Sequence, residues 1–340
     1  MKILYAIQGT GNGHLSRSMD IVPLLKKMGD VDVLVSGTQG DLNLPFAIKY
    51  KLHGFGFVFG KSGGVDLWGS FLKSRFRKFI KEINTLPIDK YDLVINDFEP
   101  VSAWACYLKN KACIGLSHQA AVLHDKAPKP DEADMIGRLI LKNYAPVTAQ
   151  YGFHFKSFDK NIFTPVIRQQ VREQEISNKG HYTVYLPAYD DKRLIKRLSE
   201  FKNVEWDVFS KHNKKVYKHK NVYIQPIDNK DFIKSMAQSA GVLCGGGFET
   251  PAEALFLKKK LLVIPMKNQY EQQLNAAALK AMGVSVIKSL KPKHDETILD
   301  WLNNGQPIKV NYPDNTQQVL DLMFEQFAET SYFKKELVAQ

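Results

Sequence analysis

Gly245-Gly246-Gly247-Phe248-Glu249-Thr250-Pro251-Ala252-Glu253 follows the apolar run Gly241-Val242-Leu243-Cys244 and leads into an apolar helical pattern. Strand, glycine turn and helix in that order make a place for an anion. The glycines let the backbone come close to a ligand, and the first turn of the helix offers unpaired N–H groups and positive potential. Pro251 suits that first turn, where its missing N–H is no loss. A carboxylate a turn further in, Glu253, is placed to accept hydrogen bonds from ribose hydroxyls. On its own the segment fits a tight connection with a solvated Glu253 just as well.

Around this turn, short apolar runs alternate with helical patterns. The second half reads as strand over 182–186, helix over 191–201, strands over 206–209 and 222–225, helix over 231–239, strand over 241–244, helix over 251–257 and strand over 261–264. The first half reads as strand over 2–7, helix over 16–28, and strands over 31–35, 93–96 and 112–116, with a helix over 101–108. Such alternation argues for parallel sheets with crossover helices, an α/β chain of two Rossmann-like halves. Two domains also suit 340 residues, since one core rarely grows that large. The boundaries read as 1–165, 166–314 and a helical 315–340 whose docking is open. The stretch 125–150 reads as polar and helical, and Thr164-Pro165-Val166-Ile167-Arg168 as the connection.

Composition narrows the class. With 44% hydrophobic and 24% charged residues, and no run of ~18 apolar residues, the chain reads as a cytoplasmic protein. Cys106, Cys113 and Cys244 lie in apolar surroundings without metal-ligand spacing, so reduced thiols and no structural metal are expected. Lys and Arg outnumber Asp and Glu by 47 to 35, a net +12 that favours anionic partners. The basic stretch Lys211-His212-Asn213-Lys214-Lys215-Val216-Tyr217-Lys218-His219-Lys220 reads as a solvated hairpin, and no nucleic-acid partner is expected.

A second glycine loop, Gly9-Thr10-Gly11-Asn12-Gly13-His14, follows the first strand. Its spacing is not that of a dinucleotide fingerprint, and the second strand ends in Val35-Ser36-Gly37 without an acidic residue for a ribose, so an NAD or FAD site is disfavoured. Asp30-Val31-Asp32 spells D-x-D but enters the second strand, and reads as turn carboxylates rather than a metal site.

From Leu243 to Val286 the residues Gly245-Gly246-Gly247, Thr250, Glu253-Ala254, Pro265 and Asn268-Gln269-Tyr270-Glu271-Gln272-Gln273-Leu274-Asn275-Ala276 resemble the donor-binding region of GT-B glycosyltransferases. The likeness is greatest to the family of the peptidoglycan N-acetylglucosaminyltransferase of lipid II synthesis, and looser to UDP-glucuronosyltransferases and antibiotic glycosyltransferases. Gly11 and Gly13 resemble that family's N-terminal glycine loop. The resemblance implies a GT-B fold and a nucleotide-sugar donor, UDP-linked. It also implies diphosphate at the glycine turn and Thr250, ribose at Glu253, and the transferred sugar at Gln272-Gln273. Two departures stand out: Pro187-Ala188-Tyr189-Asp190-Asp191 replaces a glycine turn, and Glu249 puts a negative charge beside the phosphates.

Sugar transfer needs a base for the acceptor hydroxyl and positive potential for the leaving diphosphate. His14 ends the first glycine loop and is the base candidate; Asp97, at the C-terminal end of a strand, is placed to orient it, as in the His-Asp dyad of the UDP-glucuronosyltransferase group. Helix capping explains Asp97 or Glu99 as simply. His118 competes as base or acceptor contact. A helix N-terminus can offset the diphosphate charge, so no metal or other cofactor is expected. Trp68, Phe71, Leu72, Phe76, Phe79, Ile80 and Ile83 recur at helical spacing among five basic residues from Lys73 to Lys81, which suits either core packing or an anionic membrane surface presenting a lipid-linked acceptor. Trp68 and Phe71 are the acceptor candidates there, and the protein is then peripheral on the inner face of the membrane. The rival functions are a non-hydrolysing UDP-sugar epimerase, which needs carboxylates at the sugar ring, and a basic polyanion-binding protein.

Overall fold

The computed structural model describes residues 1–37, 44–55, 76–131 and 134–338, with side chains through 328. Its strands form two sheets. The first contains β1 (Lys2–Gln8), β2 (Asp30–Ser36), β3 (Tyr50–Leu52), β4 (Leu93–Asp97), β5 (Cys113–Ser117), β6 (Ala149–Phe153) and β7 (Ile162–Phe163), in the order β3-β2-β1-β4-β5-β6-β7, every pair parallel. The second contains β8 (Tyr182–Tyr185), β9 (Trp206–Ser210), β10 (Tyr217–His219), β11 (Val222–Pro226), β12 (Gly241–Gly245), β13 (Lys260–Ile264) and β14 (Ser285–Val286), in the order β10-β11-β9-β8-β12-β13-β14. Only β10 runs antiparallel to its neighbour among the described strands, so the basic stretch is a hairpin on the sheet edge.

The crossovers are helices: α1 (Asn12–Met28), α2 (Phe76–Thr85), α3 (Pro100–Leu108), α4 (His118–Val122) and α5 (Met135–Asn143) in the first half. A short α6 (Gln169–Arg172) follows the connection, and then come α7 (Asp191–Leu198), α8 (Asn229–Gln238), α9 (Glu249–Phe256), α10 (Tyr270–Ala281), α11 (Asp295–Asn304) and α12 (Thr316–Val338). Residues covered on both faces read as unbroken apolar runs, and β1 shows why. Ile3, Tyr5 and Ile7 pack with Leu15, Ile21 and Leu25 of α1, while Leu4 and Ala6 pack with Phe79, Ile83 and Val101 of α2 and α3.

One stretch departs from the sequence reading, and the last helix, whose docking is open in the sequence, finds its place. Among the described residues of 125–150 only α5 is helical, and Gln150 belongs to β6. α12 crosses back to the first half: Val319, Leu320 and Met323 are buried in the core shared with α1, and Tyr151 of β6 donates to Gln326.

Strand order reverses direction between β1 and β4 in one sheet and between β8 and β12 in the other. Crevices at such reversals, beyond the carboxyl ends of the strands, are where open α/β sheets hold ligands. Side chains beyond these ends meet across the two halves, as at Arg17 with Glu249 and His118 with Asn275. Among the described residues no helix is long and apolar enough to cross a membrane.

Candidate active site

At the first reversal the chain leaves β1 through Gly9, where a Cβ would fall 2.8 Å from Val35 and 2.9 Å from the Ser36 carbonyl oxygen, so only glycine fits. α1 then starts at Asn12, earlier than the expected start near Ser16. His14 therefore sits in the first turn, and Arg17, three residues on, shares its face. On the neighbouring strand β4 ends in Asp97. The next residue, Phe98, takes a left-handed backbone with φ 57°, a conformation rare outside glycine. Glu99 then caps α3, its carboxylate accepting from the backbone N–H groups of Val101 (2.8 Å) and Ser102 (2.6 Å). The capping alternative thus belongs to Glu99, and Asp97 turns the other way.

Asp97 Oδ1 lies 2.8 Å from His14 Nδ1 and accepts from Arg17 Nη2 at 2.6 Å; Tyr5 donates to Oδ2 at 3.4 Å. His14 Nδ1 and Arg17 Nη2 are 3.0 Å apart because both converge on that one oxygen. Burial would raise the Asp97 carboxyl, but Arg17 and His14 outweigh it and hold Asp97 below the usual carboxylate value, charged. Burial likewise pushes the His14 imidazole down, and Asp97 more than offsets this, so His14 ends above 6.5. With Nδ1–H on Asp97, the lone pair is on Nε2, which receives the Gln119 amide nitrogen at 3.3 Å. The His14 side chain keeps 16% of its surface exposed.

The second half brings its glycine turn to this point. Gly246 is buried against α10: a Cβ would fall 2.9 Å from the Gln272 carbonyl oxygen. Gln272 pins the turn, its Oε1 accepting from Gly246 N (3.1 Å) and Met266 N (2.9 Å). Gly11 and Gly247 are different, since a Cβ at either would meet nothing within 4 Å. Gly245 lines the same turn, Thr250 is the second residue of α9, and Gln273 follows Gln272 on α10; Thr250 and Gln273 are half-buried. Glu253, 2% exposed, gives both carboxylate oxygens to Arg168 of the connection, at 2.5 Å to Nε and 2.8 Å to Nη2, while Arg168 Nη1 reaches Asn229 at 2.6 Å. Glu253 is thus not a solvated residue, and any ribose there shares it with Arg168.

His118, the other candidate for base or acceptor contact, lies at the junction of the two halves. It is 1% exposed, its Nδ1 lies 2.8 Å from the Phe153 carbonyl oxygen and its Nε2 2.5 Å from Asn275 Oδ1, and it stacks on Phe248 at 3.7 Å. Burial first, then His154, lower its pKa to about 3, so it joins the two halves as a neutral ring. Trp68 and Phe71 lie outside the described residues. In α2, Phe79 and Ile83 are core while Phe76 and Ile80 are exposed.

Three residues that sequence reasoning passed over complete the site. Arg17 is 1% exposed and spans Asp97 and, at 2.5 Å from Nη1, Glu249 of α9. Gln119 is buried against His14. Glu271, half-buried at the start of α10, faces His14 and Gln119; burial raises its carboxyl, and both neighbours act against that.

The sequence matches the family described as Glycosyl transferase family 1 over residues 1–304. No curated protein matches it by sequence. Among solved structures, MurG of Acinetobacter baumannii is 17% identical with a TM-score of 0.56, over 95% of this chain and 99% of its own. A Streptomyces glycosyltransferase solved with thymidine diphosphate is 15% identical at 0.56, over 96% and 99%. A UDP-N-acetylglucosamine 2-epimerase is 12% identical at 0.52, over 96% and 97%. At these identities the likeness is one of fold.

Proposed function

The chain belongs to glycosyl transferase family 1, and from that premise we propose that it moves a sugar from a UDP-sugar to an acceptor hydroxyl with inversion, His14 acting as base. It is a glycosyltransferase of GT-B fold, with a sheet in each half and the reacting groups between them. The observation that carries the finer reading is the contact between His14 Nδ1 and Asp97 Oδ1 at 2.8 Å, beside the glycine turn before α9. Nε2 takes the acceptor proton as the acceptor oxygen forms its bond to the anomeric carbon. The bond from that carbon to the diphosphate oxygen breaks, and the nucleoside diphosphate leaves with the electron pair. The imidazolium so formed is stabilised by Asp97. The N-terminus of α9 and the glycine turn Gly245, Gly246 and Gly247, open at Gly247, receive the diphosphate together with Thr250, a charge-offsetting arrangement that calls for no metal.

Donor residues follow from the same placement. Glu253 takes the ribose alongside Arg168, Gln272 and Gln273 lie beside the transferred sugar, and Glu271 faces the sugar from the His14 side. The acceptor enters over the first half, lined by Gly11 and Gly13. Exposed Phe76 and Ile80 beside Arg77, Lys78 and Lys81 support a lipid-linked acceptor presented at an anionic membrane surface. The domain limits 1–165, 166–314 and 315–340 divide acceptor side, donor side and returning helix.

A thermal-shift screen of nucleoside diphosphates and nucleotide-sugars tests the donor half: UDP raises the melting temperature of the wild type, and Glu253→Ala abolishes the rise. Equal shifts in both would remove Glu253 from the site. The epimerase reading draws on the carboxylates Glu249 and Glu271 beside the cleft. Release of UDP that depends on added acceptor supports transfer, whereas an epimerised UDP-sugar recovered without acceptor overturns it.

A further inference from the structure

Arg17 is a fully buried cation with an unusual set of partners. Nη2 holds Asp97 at 2.6 Å, Nη1 holds Glu249 at 2.5 Å, and Nε is buried with no partner among the described residues. Glu249 is the first residue of α9, yet its carboxylate leans away from its own helix onto α1: a Cβ at Gly13 would fall 2.3 Å from Glu249 Oε2. The first turns of α1 and α9 thus gather around one carboxylate, in the place where two helix N-termini favour an anion. The backbone on both sides is open at Gly11 and Gly247. The anion at this point is supplied by the protein.

We propose that Glu249 holds the place of the donor diphosphate until the donor binds, and that Arg17 is the positioning residue that exchanges one for the other. The inference rests on the donor reading above. When the nucleotide-sugar arrives, its diphosphate displaces the carboxylate from Nη1, while Nη2 stays on Asp97. The side chain that orients the partner of His14 is then the one that registers donor binding. Glu249 swings toward solvent, to which 21% of its side chain is already exposed. A carboxylate and a diphosphate within a few ångströms of each other repel, so the exchange lowers donor affinity by the repulsion that remains and by the ion pair broken.

Calorimetric titration of the full chain with UDP, thymidine diphosphate and inorganic pyrophosphate tests this on wild type, Glu249→Gln and Arg17→Lys. Removing a unit charge about 5 Å from the ligand in a water-like dielectric corresponds to about fourfold in Kd. Glu249→Gln therefore binds the diphosphate probes at least about fourfold tighter than wild type. A residue with a merely structural part in the site would loosen binding when changed, so tightening is the discriminating sign. Arg17→Lys, a point charge unable to span both partners, binds more weakly than wild type. Wild-type binding with unchanged or weaker affinity in Glu249→Gln overturns the proposal. Tightening in Glu249→Gln with undiminished binding in Arg17→Lys removes Arg17 from it. If none of the three probes binds either wild type or Glu249→Gln, the donor reading itself has failed.

Discussion

Replacing Asp97 by Asn keeps the size of the side chain and removes its charge. Asp97 is the neighbour that lifts His14 above 6.5 against burial, and Arg17 Nη2, 3.0 Å from His14 Nδ1, is a fixed positive charge that Asp97 screens. An opposite charge at hydrogen-bonding distance shifts a pKa by about 1–3 units, each about 1.4 kcal/mol. The imidazolium in Asp97→Asn thus loses roughly 1.4–4 kcal/mol and its pKa drops below 6.5. A weaker base whose cation is no longer stabilised costs about tenfold to a thousandfold in turnover. The sign with pH follows. Turnover needs neutral His14, so in wild type it rises with pH and levels off above an inflection higher than 6.5. In the variant the inflection moves below 6.5 and the plateau is lower. The raised His14 pKa also stabilises the fold below 6.5, a contribution lost as pH rises through the folded pKa and absent in the variant. The assay pairs a histidine-labelled NMR titration with UDP release as a function of pH, and UDP affinity serves as a control. A wild-type His14 titrating at or below 6.5, or an unmoved titration in Asp97→Asn, refutes the reasoning.

The glycine turn gives a contrast between neighbours. Gly246→Ala forces a Cβ against the Gln272 carbonyl oxygen and destabilises by about 1–3 kcal/mol, whereas Gly247→Ala leaves the melting temperature unchanged and weakens diphosphate binding; a thermal melt and a UDP titration on each decide it. Arg168→Ala strands the buried Glu253 carboxylate and costs about 3–5 kcal/mol in chemical denaturation, and adding Glu253→Gln recovers most of that. His118 and His154 remain neutral in the fold, titrating at about 3 and about 4. Below pH 6.5 the unfolded chain takes up protons that the folded chain cannot, so stability falls by about 1.4 kcal/mol per pH unit for each ring. Between pH 6.5 and 5 that is roughly 4 kcal/mol for the pair. A urea series at pH 7, 6 and 5 showing no loss refutes it.

The parallel sheets were legible because strands covered on both faces are unbroken apolar runs, as in Ile3 to Ile7 and Val242 to Cys244. β6 was not, because Ala149, Gln150 and Gly152 carry little apolar pattern. Gly152 is needed where a Cβ would fall 2.9 Å from Ala121, a tertiary contact that no local window contains. The start of α1 was misplaced for the same kind of reason. Gly11-Asn12-Gly13 reads as loop by propensity, yet Gly13 is helical, and the space a side chain would need there is taken by Glu249 from the far half of the chain. Placing the helix start at Ser16 left His14 in a loop and hid that Arg17 follows it on one face. The donor motif suffered less: its glycines, Gln272 and Glu253 lie within one local unit. What stayed hidden there was Arg168, which reaches Glu253 from the connection.

The division of labour across the cleft bears on how the reaction is kept from running idle. In the proposed reaction the base and its carboxylate partner, His14 and Asp97, come from the first half, whereas the proposed diphosphate seat and the groups proposed to face the sugar come from the second. On that reading neither half carries out transfer alone. The two halves are joined by Arg17 on Glu249 and by His118 on Asn275, while the connecting Arg168 holds Glu253. Two of these three contacts take up carboxylates at or beside the donor seat. A nucleotide-sugar must therefore displace or share protein contacts at both its diphosphate and its ribose before the sugar stands opposite Nε2. A small anion that satisfies only the diphosphate seat leaves Arg168 on Glu253. The order of affinities expected from this is nucleoside diphosphate above pyrophosphate in wild type, with the gap closing in Glu253→Gln, where the ribose has no carboxylate to win. An equal affinity for pyrophosphate and UDP in wild type would mean that the ribose contact contributes nothing and that Glu253 serves only to anchor Arg168.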